Sequence, residues 1–201
     1  MAEIPSTLFD CTRVFIQSAG RYPLAERDAI VQAFYLASTY HGEQRRKSGE
    51  LYIIHPLQVS LLLMNAHLDQ FTIEAGLLHD VLEDTAATSE QIKRHCGKEV
   101  TALVEAVTRF PMFSRKEFVE KVYDKATRDP RVAALKLADR IANLMHGSQL
   151  VFTAEKHLAH LEETEEFYVK QLAAVPGIPA SLIKSLRVVL DQSWVEYRGR
   201  S

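Results

Sequence analysis

Apolar residues recur along this chain at the spacing of helices. Over residues 25–40 they fall at Ile30, Ala33, Phe34 and Ala37, the i, i+3, i+4, i+7 stripe of one helix face. Pro56 suits the first turn of a second helix through Leu57, Val59, Leu62 and Leu63, where its missing N–H is not needed. Thr72 is the predicted cap of a third helix, with His79-Asp80 in its middle. Thr88 to Gln91 and Ser114 to Glu117 have capping-box spacing, in which the first and fourth residues satisfy each other's backbone N–H groups. Further helices are predicted over 99–108, 131–145, 154–174 and 179–197.

The segment 42–54 interrupts this pattern. It is polar and basic, contains Gly49, and reads as a loop between the first two strong helices. No repeat, low-complexity tract or strand alternation stands out. The expected fold class is therefore all-α, a single domain of about eight to nine helices over residues 23–201. Residues 1–22 read as an N-terminal extension that packs on this core through Leu8, Val14, Phe15 and Ile16.

Bulk properties narrow the class of partner. A chain of 201 residues can bury roughly 70% of its unfolded surface and needs no staples to fold. The formal net charge of −2 recruits neither nucleic acid nor anionic lipid, so no nucleic acid and no membrane partner is expected. An anionic substrate would have to be drawn by a local basic cluster. Cys11 and Cys96 lack metal or redox spacing and point to a reducing compartment. The N-terminus lacks the basic and apolar regions of a signal peptide, and no apolar run approaches the ~20 residues that span a bilayer. The predicted location is cytoplasmic; a homo-oligomer is left open.

The run Leu77-Leu78-His79-Asp80-Val81-Leu82-Glu83-Asp84-Thr85 changes the picture. Four ionisable groups interrupt an apolar stretch. On one helix His79 would share a face with Glu83, and Asp80 with both Glu83 and Asp84. Unpaired buried charge is costly, and a divalent metal is the simplest compensation. His55 and Asp139 are the further candidate ligands. Two imidazoles and two carboxylates suit Mn²⁺, Fe²⁺ or Zn²⁺. Four such ligands leave open positions for water and a phosphate oxygen, as metal-assisted hydrolysis requires.

Each part has a plainer reading. A His before Pro is usually a surface or satisfied core residue, an Asp in an apolar helix usually pairs with a neighbouring Arg such as Arg140, and adjacent His-Asp pairs arise by chance. Their joint occurrence, with Glu83-Asp84 one turn on, outweighs these readings. Glu83 and Asp84 would crowd His79 and Asp80 as further ligands, so they are assigned to orienting water and handling its proton. Arg45, Arg46 and Lys47 repel one another just before His55, and a polyanion would relieve them. Asn143 lies one turn beyond Asp139 and Lys136 one turn before it, so both are expected to reach the same pocket.

These residues resemble a known family. The stretch from His41 to Pro56 resembles the opening signature of the RelA/SpoT-type HD hydrolase domain. Ala75 to Thr85 is similar to its central motif, Gly97 to Thr108 to the following helix, Lys136 to Leu144 to the segment with the last ligand, and Glu163 to Tyr168 to a further helix. The resemblance runs in order from about residue 25 to residue 175. It implies an HD-domain helical fold, one manganese ion, and removal of the 3′-pyrophosphate from guanosine tetra- or pentaphosphate. Carried over position by position, the ligands fall on His55, His79, Asp80 and Asp139, and the water-handling pair on Glu83 and Asp84. The nucleotide contacts fall on Arg46, Lys47, Ser48 and Asn143.

Long members of that family add further domains after the hydrolase; with its end at Ser201 this chain is expected to be a small stand-alone hydrolase. Met145 and His146 stand where the family usually has Arg and a small polar residue, and Arg109 stands where it often has Lys. The first departure leaves the base open, with adenosine alarmones as an alternative substrate. Another nucleotide phosphate such as NADPH is a rival within enzymes. A silent alarmone-binding sensor is the rival outside them, but such a domain would be expected to lose ligands or the acidic pair.

Overall fold

The computed structural model describes residues 4–145 and 152–199. Among these residues the chain forms ten α-helices and no strand, apart from an isolated antiparallel bridge between Arg45 and Leu51. The helices are α1 (Leu8–Ala19), α2 (Leu24–His41), α3 (Ile54–Asn65), α4 (Gln70–Leu78), α5 (Val81–Asp84) and α6 (Ser89–Val107). They continue as α7 (Arg115–Arg128), α8 (Pro130–Met145), α9 (Ala154–Glu163) and α10 (Ala180–Arg198). Between α9 and α10 lie a π-helical turn, Thr164–Val169, and a short 3₁₀ turn, Leu172–Ala174.

α3 is buried along nearly its whole length, from Ile54 to Met64. A helix that is apolar all round belongs in the centre of a bundle, and α3 packs there against α1, α4 and α8. Gly76 permits the close approach of α4: a Cβ there would meet Leu63 Cδ1 at 2.6 Å. The two predicted capping boxes are present at Thr88 and Ser114. α6 is one element with a kink at Gly97, whose φ of 80° suits glycine. The stripe expected over 99–108 is the limb after that kink.

Three expectations are corrected. Asp69, not Thr72, caps α4: its carboxylate accepts from the Thr72 backbone N–H and hydroxyl, both at 3.0 Å. The His79-Asp80 pair is not mid-helix but lies at a break between α4 and α5. His79 Nδ1 takes the Gly76 carbonyl at 2.9 Å, the acceptor a continuing helix would offer to the Asp80 N–H. The Asp80 carbonyl then starts α5 by accepting from Glu83 and Asp84. Finally, the predicted helix 154–174 changes pitch at Thr164.

Within residues 1–22, α1 lies on α3 and α2. Cys11 and Phe15 are buried there, Leu8 and Val14 pack partly, and Ile16 faces outward, half exposed. No described helix is long and apolar enough to cross a membrane.

Glu74 on α4 is buried, 3% exposed, with Gln70 beside it. Burial, then the Asp69 charge, pushes its carboxyl up to about 7. The unfolded value is about 4.3, so the folded state holds the extra proton between these limits. The stability this group contributes is complete below about pH 4.3 and is lost as pH rises through 7. Glu74→Gln is therefore expected to raise stability by about 2–3 kcal/mol at pH 8.5 and to change it little at pH 4.5. Urea melts at the two pH values check this; an equal shift at both would remove Glu74 as the cause.

Candidate metal centre

Three elements bring the four candidate ligand residues together. α3 supplies His55, the α4–α5 break supplies His79 and Asp80, and α8 supplies Asp139. His79 Nε2 is 3.1 Å from Asp80 Oδ2 and 3.7 Å from Asp139 Oδ1. His55 Nε2 is 3.2 Å from Asp139 Oδ1 and 3.7 Å from Asp80 Oδ2. Neighbouring ligands of a six-coordinate ion with bonds of about 2.1 Å stand about 3.0 Å apart, and these separations come close to that. His55, His79 and Asp80 by themselves offer atoms within 4.8 Å of one another.

The tautomer of His79 shows why a cation fits. Its Nδ1–H is committed to the Gly76 carbonyl, which leaves the Nε2 lone pair facing two carboxylates. Nε2 is buried and has no hydrogen-bond partner among the described residues. Lone pairs of three ligand atoms converging without a proton between them call for a positive charge. Without an ion the ring takes a proton: burial opposes this, but Asp80 and Asp139 outweigh it and push His79 up to about 10. An N–H at Nε2 aligns with neither carboxylate, so a proton is a poor substitute for an ion. Burial, aided by the Arg46 charge, pushes His55 the other way, towards the neutral ring that binds metals.

Asp139 is held from both sides. Lys136 Nζ donates to Oδ2 at 2.6 Å and Asn143 Nδ2 to Oδ1 at 2.7 Å. Burial alone would raise its carboxyl; Lys136, with the two imidazoles, holds it well below the usual carboxylate range. Asn143 Oδ1 in turn accepts from Arg46 Nη2 at 2.5 Å, which links the basic loop to α8. Lys136 and Asn143 therefore line the cavity while their polar ends hold the Asp139 carboxylate.

The acidic pair flanks the ligands. Glu83 accepts from the Arg109 backbone N–H at 2.9 Å. Asp84 accepts from the Tyr52 hydroxyl, which also lies 2.8 Å from Asp80 Oδ2. Burial, then Asp80, pushes the Tyr52 phenol up, so it keeps its proton and donates. Glu83, Asp84, Tyr52, His55, Asp80 and Asp139 face one cavity of about 260 Å³ with Arg46, Arg109, Arg115, Lys136 and Arg140 around it; His79 lies behind them. Lys47 and Ser48 do not reach this cavity. With Arg45 and Arg46 they line an adjoining one of about 470 Å³, whose far wall is Phe152, Lys156 and His160.

The loop owes its shape to backbone bonds. Tyr52 N–H donates to the Gln44 carbonyl at 2.8 Å, Arg46 N–H to the Glu50 carbonyl at 3.0 Å and Gly49 N–H to the Arg46 carbonyl at 2.9 Å. Gly49 has a φ of 96°, a region that side chains disfavour.

Sequence reasoning missed several site residues. Arg140 does not pair with Asp139; it is buried, donates to Glu163 at 2.7 Å and lies over the Tyr168 ring at 4.1 Å. Arg115 donates to the same Glu163. The π-helical turn, a form common at functional sites, carries Tyr168 to Arg140. Burial and the Arg140 charge push His160 down to about 3, so it stays neutral beside that guanidinium. Tyr52 had a signal, three residues before His55. Arg115 had none, because it looked like an exposed first-turn residue of a capped helix. Met145 packs partly against the core, whereas His146 lies outside the described residues.

Known proteins match most of this chain. It is 44% identical over 153 residues to a guanosine-3′,5′-bis(diphosphate) 3′-pyrophosphohydrolase of Aquifex aeolicus, covering 74% of this chain and 22% of that protein. It is 39% identical over 144 residues to a GTP pyrophosphokinase of Streptomyces coelicolor, covering 69% of this chain and 17% of that one. The chain thus spans about a fifth of the length of these curated relatives. Among solved structures, a metazoan orthologue of SpoT that hydrolyses ppGpp superposes with a TM-score of 0.71 at 28% identity, covering 85% of this chain and 97% of that one. The HD domain model matches residues 33–179, a stretch that contains every ligand candidate and every wall of the two cavities. On that match the chain belongs to the HD-domain family.

Proposed function

We propose that this chain hydrolyses guanosine 3′,5′-bis(diphosphate) and its pentaphosphate counterpart, releasing the 3′-pyrophosphate to leave GDP or GTP. The observation that supports it most is the convergence of His55, His79, Asp80 and Asp139 beside Glu83 and Asp84, within a wall of cations. The Aquifex relative carries that activity in its name, and the metazoan structure is described as hydrolysing ppGpp. The four ligand candidates would hold one Mn²⁺, whose mixed nitrogen and oxygen donors suit it.

When bound, such an ion supplies Lewis-acid polarisation of a phosphoryl oxygen and a water acidic enough to attack near neutral pH. The chain's own residues do the rest. Glu83, held by the Arg109 N–H, accepts the proton of the attacking water. Asp84, held by the Tyr52 hydroxyl, helps Glu83 position that water. Arg46 and Asn143 hold the nucleotide side, with Lys47 and Ser48 along the adjoining cavity. Arg109, Arg115 and Arg140 neutralise the phosphates on the other wall. The two unpaired cysteines, Cys11 buried and Cys96 partly so, support a cytoplasmic setting.

The test uses purified protein, Mn²⁺ and guanosine tetraphosphate, with all products followed. Pyrophosphate and GDP in equal amounts are expected. Orthophosphate alone, or no product at all, would overturn the proposal. Adenosine tetraphosphate in a parallel assay with the same ion reads the base preference.

A further inference from the structure

One loop serves both the nucleotide wall and the metal centre. The segment between α2 and α3 carries Arg46, which bonds Asn143, and six residues later Tyr52, whose hydroxyl lies between Asp80 and Asp84. The Tyr52 ring is fixed before its hydroxyl does anything. It stacks on the buried His41 ring at 4.6 Å and 17°, meets His55 edge-on, and its N–H donates to Gln44. His41 is itself held by Gln44 Oε1 at 2.8 Å.

Asp84 by contrast stands on α5, a single turn of four residues that cannot hold a side chain rigid by itself. Among the described residues no side chain other than Tyr52 hydrogen-bonds it. A phenol has one proton, so Asp80 and Asp84 compete for it. Whatever draws the Asp80 oxygen towards a cation leaves the hydroxyl to Asp84.

We propose that Tyr52 is a positioning residue that ties the orientation of Asp84 to the ligand carboxylate of Asp80. Loading the metal and setting Asp84 are then one event. The inference rests on the metal-centre reading above, and it adds a residue and a coupling to it.

Tyr52→Phe tests it cleanly, because the ring and its stack on His41 remain and only the hydroxyl goes. The measurement is Mn²⁺ binding by calorimetry on the full, metal-stripped chain, with no substrate. Tyr52→Phe is expected to tighten Mn²⁺ by about 3–10-fold, because the ion no longer displaces a hydrogen bond from the Asp80 oxygen. Asp84→Asn is then introduced into both the parent and Tyr52→Phe chains. It is expected to change Mn²⁺ affinity by clearly different factors in the two, since coupled residues are not additive. A Tyr52→Phe affinity less than twofold tighter than the parent's, or equal Asp84→Asn factors in both backgrounds, overturns the proposal while the metal reading stands. A parent chain that binds no Mn²⁺ overturns both. At saturating Mn²⁺, with the proposed substrate, kcat of Tyr52→Phe should fall by about 10-fold or more with KM little moved.

Discussion

Asp80→Ala is expected to remove bound metal and turnover together. Asp80 Oδ2 is the oxygen shared by both imidazoles, at 3.1 Å from His79 and 3.7 Å from His55. With it gone, the remaining carboxylate is Asp139, whose charge is already partly met by Lys136. Two neutral rings and a neutralised carboxylate attract a divalent ion poorly. The loss in Mn²⁺ affinity should exceed the ~10–100-fold that accompanies loss of an outer partner. Elemental analysis of the purified variant, beside its activity at high Mn²⁺, is the check. Parental metal content would take Asp80 off the ligand set. Parental metal content with no turnover would move Asp80 to the acid–base role.

Glu83→Gln should show the opposite separation. Glutamine keeps an oxygen that can accept the Arg109 N–H, so the side chain stays in place. What it loses is the ability to take a proton from water. General-base removal typically lowers kcat by about 10²–10⁴-fold. Metal content and KM are expected to stay near the parent's, since Glu83 bonds none of the four ligand side chains among the described residues. A kcat within tenfold of the parent would sink the assignment and leave Asp84 as the water-handling group.

Local rules were enough for much of the fold. Both capping boxes are where their spacing put them, because a cap is a contact between residues three apart. The break at His79 was hidden, because its cause is a side chain taking a backbone acceptor, which apolar periodicity cannot register. The pitch change at Thr164 left no sign for the same reason: apolar spacing in 154–174 is nearly the same for an α-helix and a π-turn. Ile16 was placed inward from hydrophobicity alone, and the neighbouring helices decided otherwise.

In the candidate site, the acidic and imidazole residues were legible because each is expensive to bury without a partner, and their types name the chemistry. Their partners were less so. Arg140 stood next to Asp139 in sequence, yet successive helix residues point to different faces, and α9 offered it Glu163 instead. Lys136 was expected to reach the substrate pocket, and it does, but its nearest charge there is the Asp139 carboxylate one turn away.

The sequence by itself determined the class of this protein: an all-helical chain whose apolar stretches are interrupted by His55, His79-Asp80, Glu83-Asp84 and Asp139. Those are properties of residue type and local spacing, and they survive any arrangement of the helices. Only the tertiary structure decided which lone pairs face one another, that Tyr52 stands between Asp80 and Asp84, and that Arg115 and Arg140 share Glu163. These depend on ångström-scale distances between α3, α5, α7, α8 and α9. Such distances are set by core packing, by Gly76 against Leu63 among other contacts, which no local pattern encodes.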